Sequence, residues 1–178
     1  FTTANQVFNI RNNATPTIGA AWTVSGSNSK IVIGDGTNAC NFTIPSGFAV
    51  SGTVDVSANA TLTNTNTSNP TLGTLNATST VVFNAAGAQT VPIATYSNLS
   101  ISNTGSSTAT AAGAIAVTSV LTVSSGSTFD MSTYALSGAA LTTSGTGTIK
   151  TQNTSATPLP TGKTWTMDVE YNGTGAQT

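Results

Sequence analysis

Side chains that could carry out acid–base chemistry are few in this sequence. Its 178 residues include four Lys or Arg, five Asp or Glu and no His, so that charged residues make up 5 % of the chain. Asp168 and Glu170 lie two positions apart, and on a strand they would share a face and could form a carboxylate pair. Enzymes that cleave polysaccharides need clustered acids and bases for proton transfer. Five scattered acids supply no such cluster, so we expect a solvated strand edge at Asp168 and Glu170 and no catalytic residue.

Metal-binding and nucleophilic patterns are equally weak. The segment GDG at 34–36 resembles a fragment of a calcium loop. Calcium takes about six to eight oxygen ligands, so we expect a plain turn there. A single Cys without His makes a zinc site improbable, and a Ser–His triad needs a His. Cys40 is expected to be a small buried apolar side chain. The sequence therefore predicts no metal and no cofactor.

Two surface patterns could bind a ligand without catalysis. Thr61, Thr63, Thr65 and Thr67 alternate in TLTNTNT, and the side-chain period of two on a strand predicts an outward row. Such a row could order water, as ice-binding solenoids do, or it could be an ordinary uncharged face. Aromatic side chains could form a platform for glycans if they are exposed, and packing in the core or at corners is the alternative. These aromatic residues are Trp22, Tyr96, Tyr134, Trp165 and Tyr171.

Composition narrows the range of partners. The formal net charge of −1 offers no basic patch for nucleic acid and no polybasic face for an anionic membrane. No apolar run approaches the length needed to cross a bilayer. Thr, Ser and Asn dominate the polar residues, which predicts a surface of hydroxyl and amide groups. We expect no nucleic-acid partner and no membrane insertion.

Short strand signals separated by turn formers run along the whole chain. Apolar residues do not recur at helical spacing, and the Thr, Val, Gly and Asn content opposes helix. Segments such as Ile31–Ile33, Phe42–Ile44 and Val54–Val56 alternate between apolar and other residues or form short apolar runs, and Gly-, Ser- and Asn-rich turns lie between them. Many short, evenly spaced strands favour either a sandwich or barrel, or a β-solenoid.

Internal repetition favours the solenoid. GTVDVSANATL at 52–62 aligns with SVLTVSSGSTF at 119–129, and NAAGAQT at 84–90 recurs as NGTGAQT at 172–178. The second pair has five identities in seven positions, with Phe83 replaced by Tyr171 in register. Its offset of 88 residues corresponds to about four coils of about 22 residues, within the range of known repeat units. Each coil would bury its apolar side chains, Val82 among them, against its neighbours.

A family resemblance becomes visible at these residues. The runs VVFNAAGAQTVPIATYSNLSISNTG and IAVTSVLTVSSGSTFDMSTYALSG resemble the β-solenoid repeats of very large cell-surface adhesins of Bacteroidota. The resemblance is good over residues 81–178 and looser over 1–80. It implies export by the type IX secretion system, as for gliding-motility adhesins, and display outside the outer membrane. The motif it implies is structural and comprises Phe83, Asn84, Gly87, Gln89, Tyr96, Asn98 and Leu99, with Tyr171, Asn172, Gly175 and Gln177 in the later copy.

These observations predict an all-β fold, a right-handed parallel β-helix of short strands with coils of about 22 residues. Residues 1–178 would form one continuous solenoid segment. Within it, 1–80 would be looser coils, 81–168 one 88-residue repeat unit, and 169–178 the start of the next unit.

The function expected from this fold is mechanical and non-enzymatic. The chain would be a segment of a long extracellular surface protein on a bacterial cell, acting as a stiff stalk or a multivalent adhesive rod. One alternative is a subunit of an extracellular filament that assembles head to tail. Another is an ice- or glycan-binding solenoid. The expected partners are neighbouring repeats of the same polypeptide or other copies of the chain, together with surface glycans.

Overall fold

The computed structural model describes residues 2–11, 15–16 and 18–177, and in these ranges it contains strands and turns but no helix. The strands are short because a turn former follows every few residues. Their bounds are β1 Val7–Ile10, β2 Trp22–Thr23, β3 Lys30–Ile33, β4 Cys40–Ile44, β5 Val50–Ser51, β6 Thr53–Val56, β7 Ala60–Asn64, β8 Thr71–Leu75, β9 Thr80–Phe83, β10 Gln89–Val91, β11 Thr95–Ile101, β12 Thr108–Ala111, β13 Ile115–Val123, β14 Thr128–Asp130, β15 Leu136–Ser137, β16 Thr142–Ser144, β17 Thr148–Thr151 and β18 Asp168–Tyr171.

The strand pairing is parallel throughout the described chain, and each strand pairs with one that lies a full coil away in sequence. Thr128 pairs with Thr108 on one side and with Thr148 on the other. Parallel strands linked by successive crossovers stack as a β-solenoid of about eight coils. The predicted all-β solenoid is therefore confirmed.

Coil length varies along the axis. Thr80 pairs with Asn98 across a short coil, whereas Trp22 pairs with Val50 across a longer one. The coil length expected from the sequence lies between these two. Because only the strands must stay in register, the turns between them can absorb the difference.

Three faces surround the core. The first face consists of β1, β3, β6 and β8, and it continues through the first half of β11, which contacts β8. The second face consists of β4, β7 and β9, the second halves of β11 and β13, and β16. The third face begins with β2 and β5 and continues with β10, β12, β14, β17 and β18. A register shift between Tyr96 and Asn98 marks the bend where β11 passes from the first face to the second.

The core is a set of in-register stacks of inward side chains. On the second face Phe42, Leu62, Val81, Leu99 and Leu121 lie directly above one another, and each is at most 1 % exposed. Burial of each such side chain contributes about 1.5–3 kcal/mol. Because every coil buries its side chains against the coils on either side, the core is continuous along the axis.

The direction of one core segment differs from the sequence expectation. The predicted inward residue Val82 is half-buried and points outward, while Val81 and Phe83 are 1 % exposed. In TVVF both phases of the alternation put a Val inward, and only one of them also buries the Phe ring. The larger apolar gain from the aromatic ring decides the register.

A recurring tight turn changes the direction of the chain at several corners, where one face gives way to the next. In each, the fourth residue donates its N–H to the carbonyl of the first, as in Ser29 to Gly26 (2.9 Å) and Ala60 to Ser57 (3.2 Å). The same bond closes the turns 76–79 and 124–127. The third residue of each of these four turns has a positive φ, and it is Asn28, Asn59, Thr78 and Gly126 in chain order. Asn and Gly adopt this left-handed conformation readily, whereas a β-branched Thr is strained there.

Candidate functional site

Buried amide side chains line one corner of the solenoid, where the chain passes from the second face to the third. Asn64, Asn66, Gln89 and Asn103 are all at least nine-tenths buried. Asn64 ends β7 and Gln89 begins β10, while Asn66 and Asn103 lie in the turns that follow β7 and β11. Buried amides are stable only when they are hydrogen-bonded, and these four bond mainly to backbone groups. We call this set the corner ladder.

The first step of the ladder folds the chain after β7. Asn64 Oδ1 accepts the N–H of Asn66 at 3.0 Å, and Asn66 Oδ1 accepts the N–H of Ser68 at 2.8 Å. Two consecutive side-chain turns of this kind replace the strand ladder with a tight bend. Asn66 Nδ2 also donates to the carbonyls of Pro45 (3.4 Å) and Ser46 (3.1 Å) in the preceding coil. The bend is thus fixed both to itself and to its neighbour.

Gln89 joins two coils at once. Its Oε1 accepts the N–H of Ala85 at 2.9 Å, which closes the turn of its own coil. Its Nε2 donates to the carbonyl of Asn64 at 3.1 Å and to that of Asn66 at 2.8 Å, both in the coil before. One amide group therefore satisfies backbone groups of two coils that lie far apart in sequence.

Asn103 continues the ladder into the next coil. Its Nδ2 lies 3.4 Å from Ala85 O, 3.3 Å from Gly87 O and 3.0 Å from Gln89 Oε1. Ser127 Oγ then donates to the carbonyl of Asn103 at 3.1 Å. Among the described residues, Asn103 Oδ1 is buried without a hydrogen-bond partner. The ladder consequently links successive coils through side chains.

The same scheme recurs near the end of the chain. Gln177 Oε1 accepts the N–H of Gly173 at 2.6 Å, and its Nε2 donates to Thr151 O and Asn153 O at 3.0 Å each. Asn153 Oδ1 accepts the N–H of Ser155 at 2.8 Å, as Asn66 does with Ser68. The two copies of the motif therefore make matching hydrogen bonds.

The two copies do not occupy the same position around the axis. Phe83 ends β9 on the second face, whereas Tyr171 ends β18 on the third face. A shared local hydrogen-bond scheme, rather than a shared face, relates them. The boundaries 81–168 and 169–178 remain predictions, and Thr178, the last residue of the second motif, lies outside the described residues.

The glycines of the motif make room for the coil before. A Cβ on Gly87 would lie 3.1 Å from the Thr67 methyl carbon, and one on Gly175 would lie 3.3 Å from that of Thr154. The N–H groups of Asn84 and Asn172 donate to Asn64 O (2.9 Å) and Thr151 O (3.0 Å). These contacts are again equivalent in the two copies.

The other motif residues lie on β11 and are structural. Tyr96 is buried, and its hydroxyl donates to Pro92 O at 2.7 Å. Burial raises the pKa of the Tyr96 hydroxyl above its ordinary value. Asn98 Nδ2 donates to Ser79 O at 3.0 Å, and Leu99 belongs to the core.

The predicted Thr row does not form one straight line. Thr61 and Thr63 point outward from β7, but Thr65 and Thr67 lie beyond the strand, which ends at Asn64. Thr65 Oγ1 donates to the carbonyl of Ile44 at 2.8 Å. The asparagines between the threonines turn the chain at this point, and this is why the alternation continues while the strand does not.

An in-register Thr row exists elsewhere, on the third face. Thr108, Thr128 and Thr148 pair in succession across β12, β14 and β17. The adjacent outward row is Thr110, Asp130, Lys150 and Glu170, in which Lys150 Nζ lies 3.1 Å from Glu170 Oε2. Sequence reasoning missed this row because its members lie one coil apart rather than next to one another in the chain.

The remaining acidic candidates have structural partners or lie in solvent. Asp35 Oδ1 accepts the N–H groups of Thr37 (2.9 Å) and Asn38 (2.8 Å). Hydrogen bonds from the backbone and side chain of Asn38, and then from the Thr37 backbone, lower the pKa of Asp35 to about 2. GDG is thus a turn closed by its own carboxylate. Asp168 and Glu170 both lie exposed on β18. No cluster of three or more His, Cys, Asp or Glu occurs among the residues that the structure describes.

Asp55 acts as a clamp on the first face. Its Oδ2 lies 2.5 Å from Lys30 Nζ one coil before, and its Oδ1 accepts the N–H of Thr74 one coil after, at 2.7 Å. A Cβ on Gly73 would collide with Asp55 Oδ1. Gly73 sits at the register shift of β8, where the absence of a side chain leaves space for the carboxylate.

The aromatic candidates are dispersed. Trp22 packs between Phe8, edge to face at 5.1 Å, and Phe42, stacked at 5.6 Å. Trp165 packs partly against the core. Tyr134 is 40 % exposed and Tyr171 50 % exposed. Trp165 and Tyr171 line one shallow depression at the C-terminal coil, and the other candidates lie apart from it.

Comparison with known protein families, with curated proteins and with solved structures finds no match to this chain. In the described part of the chain, no helix is long and apolar enough to span a membrane. Function must therefore be inferred from the chain's own geometry. The amides of the corner ladder bond mainly to backbone groups, and their role is to hold successive coils together.

Proposed function

We propose that this chain is a non-enzymatic structural segment of a long extracellular surface protein, which acts as a stiff stalk or as a multivalent adhesive rod. The observation that carries the proposal is the corner ladder, in which side chains link successive coils between Ser46 and Ser127. A solenoid is stabilised by its coil–coil interfaces. Side-chain bridges across these interfaces resist bending and separation of the coils.

The outward surface supports the adhesive part of the proposal. On the second face one outward row is uncharged, and it consists of Asn41, Thr61, Thr80, Asn98, Val120 and Thr142. Hydroxyl and amide groups of this kind make weak contacts. Many such contacts repeated along a rod produce avidity without a high-affinity site. Display at a bacterial cell surface, through the secretion route that the family resemblance implies, belongs to the same proposal.

Stiffness can be tested with a pair of spin labels. Cysteines introduced at the exposed positions Ser27 and Thr161 would be labelled, while Cys40, which is 0 % exposed, stays unreacted. A rigid solenoid is expected to give one narrow distance distribution, with the labels separated by about 30 Å along the axis from strand spacings of about 4.8 Å. A broad distribution would contradict a stiff rod.

Adhesion can be tested by comparing valence. Beads that carry many copies should be retained on glycan-coated surfaces, while the free chain shows no measurable binding to the same surface. Beads coated with an unrelated uncharged protein of similar size are the control. Equal retention of both kinds of bead would remove the adhesive function and leave only the stalk.

Ice binding is a second candidate, favoured by the in-register row Thr108, Thr128 and Thr148. A regular row of hydroxyls and methyls one strand spacing apart could order water. Thermal hysteresis of the purified chain is the test, with Thr128→Lys as the variant that interrupts the row. Activity that this substitution abolishes would support the candidate, and no hysteresis in the unmodified chain would exclude it.

A further inference from the structure

We infer that a polar groove on the first face binds one sugar unit of a neutral glycan through the ion pair of Lys30 and Asp55. This inference rests on the proposed adhesive function for its biological role, and it deepens that function by placing a weak ligand site on each copy of the chain. The groove has a volume of about 400 Å³, and pockets that bind small ligands are typically about 300–1,000 Å³.

The groove lies inside the stack of coils, and three neighbouring strands supply its walls. Residues 28–30 lie at the start of β3, Thr53 and Asp55 lie on β6, and Gly73 and Thr74 lie on β8. On one side β1 pairs with β3, and on the other side β11 contacts β8. Coils therefore flank the groove in both directions along the axis.

Asp55 lies at the bottom of this groove. Its neighbours Val54 and Val56 are buried in the core, so the alternation of the strand directs Asp55 outward. Its side chain is nevertheless only 12 % exposed. Lys30 Nζ lies 2.5 Å from its Oδ2, and the N–H of Thr74 donates to its Oδ1 at 2.7 Å. The carboxylate is thus held in a fixed position between two coils.

Gly73 keeps the groove open. A Cβ at this position would collide with Asp55 Oδ1 and would lie 2.7 Å from the Thr53 methyl carbon. The φ of Gly73 does not lie in the left-handed region, so the backbone conformation does not require glycine here. What the missing side chain provides is space beside the carboxylate.

Part of the hydrogen-bonding capacity in the groove is unused. An ammonium group has three N–H donors, and an ionised carboxylate has about four acceptor positions. The contact within the ion pair uses one of each, and Thr74 N–H uses one further acceptor position. The hydroxyl groups of Thr53 and Thr74 have no hydrogen-bond partner within the described part of the chain. The side chain of Lys30 is 40 % exposed, so a ligand can reach its ammonium group.

The arrangement of these groups favours a sugar over other ligands. The ammonium donor and the carboxylate acceptor lie 2.5 Å apart, so the ligand must accept and donate on the same side. Hydroxyl groups on neighbouring carbons of a sugar ring do both, whereas a planar trans amide directs its N–H and C=O to opposite sides. A phosphate or carboxylate would be repelled by Asp55, and an ammonium ligand would be repelled by Lys30.

NMR titration of the intact chain with the methyl glycosides of glucose, galactose and mannose tests the site. We expect saturable shifts of the amide signals of Lys30, Gly73 and Thr74 with at least one glycoside, in the millimolar range of a weak site. N-methylacetamide and inorganic phosphate should cause no saturable shift. Lys30→Ala should weaken binding about tenfold or more, because a hydrogen bond to a charged group is lost. Circular dichroism checks that this variant folds.

Thr53→Val is a second variant, and it keeps the ion pair. It replaces a hydroxyl group by a methyl group of similar size, and it should weaken binding about threefold or more. Thr71→Val is the matched control, because Thr71 pairs with Thr53 in register but is not among the residues that line the groove. This control should bind the glycoside like the unmodified chain.

Three outcomes would overturn the inference. They are no saturable shift with any of the three glycosides, an equal response to N-methylacetamide or phosphate, and unchanged affinity in both Lys30→Ala and Thr53→Val. Bead retention on glycan-coated surfaces separates this inference from the proposed adhesion. A saturable titration without retention of the beads would remove the adhesive function and leave the sugar site. Retention without a saturable titration would remove the site and leave adhesion in place.

Discussion

Replacing Gln89 by Ala is the most direct test of the corner ladder. The substitution removes the acceptor of Ala85 N–H (2.9 Å) and the donor to Asn66 O (2.8 Å). Neither group has another hydrogen-bond partner among the described residues. Asn64 O keeps the N–H of Asn84 at 2.9 Å, and Asn103 Nδ2 keeps two carbonyls. Two buried groups are therefore left without partners.

The magnitude follows from these two groups. A buried polar group left without a partner costs about 1–3 kcal/mol. With a further contribution of about 1 kcal/mol from the lost burial of side-chain methylenes, Gln89→Ala should lower the free energy of unfolding by about 3–7 kcal/mol. Gln89→Glu should cost at least as much, because it would direct a carboxylate oxygen at the carbonyls of Asn64 and Asn66 in place of the amide donor.

The chain provides its own control for this experiment. Gln177 makes the same three hydrogen bonds but is only partly buried, so water can replace its amide in Gln177→Ala. We expect that variant to lose about 1 kcal/mol. Urea unfolding followed by circular dichroism measures both, and hydrogen exchange at Ala85 N–H should accelerate only in the Gln89 variant. Equal costs at the two positions, or a cost below about 1 kcal/mol at Gln89, would refute the reasoning.

The remaining predictions concern single turns and clamps. Asp55→Ala should lower the free energy of unfolding by about 2 kcal/mol. Asp55→Asn should lower it by about half as much, since Asn can still accept the N–H of Thr74. Urea unfolding measures both costs, and equal costs would contradict the role of Asp55 as a clamp. NMR titration should give a pKa of about 2 for Asp35. The ionised carboxylate therefore stabilises the fold fully above pH 3.8, the ordinary pKa of Asp, and this contribution disappears as the pH falls through about 2. A titration midpoint near 3.8 would contradict the hydrogen-bonded turn. Thr78→Ser keeps the hydroxyl and removes the methyl group that strains the backbone at φ 63°. The melting temperature should therefore rise, by the equivalent of about 0.5 kcal/mol of stability. A lower melting temperature would show that packing of the methyl group outweighs the strain.

Local sequence patterns were enough to predict the type of fold. Alternating segments such as FTI at 42–44 and VDV at 54–56 lie in β4 and β6, and the Gly-, Ser- and Asn-rich segments between strands are turns. Both the alternation and the turn preference depend on a residue and its immediate neighbours. The repeated NxxGAQ segment was also visible, because identical residues recur at one offset.

The equivalence of 64–68 with 151–155 was harder to find. The two segments read NTNTS and TQNTS, and they are alike chiefly around Asn66 and Asn153. Thr151 Oγ1 replaces the amide oxygen of Asn64 as the acceptor of the N–H two residues later, at 3.1 Å. A search for alternating hydroxyl or amide residues before a turn, rather than for identical residues, could have detected the match.

The sequence by itself determined that the chain is all-β and that its coils stack, because strand alternation and recurring segments are visible along the chain. Only the tertiary structure decided that Val82 points outward, that Thr65 and Thr67 leave the strand, and that the two motif copies lie on different faces. It also decided the role of Gln89. The amide of that side chain donates to backbone carbonyls of the preceding coil, and every residue type carries the same carbonyl, so no pattern of residue types could reveal the contact.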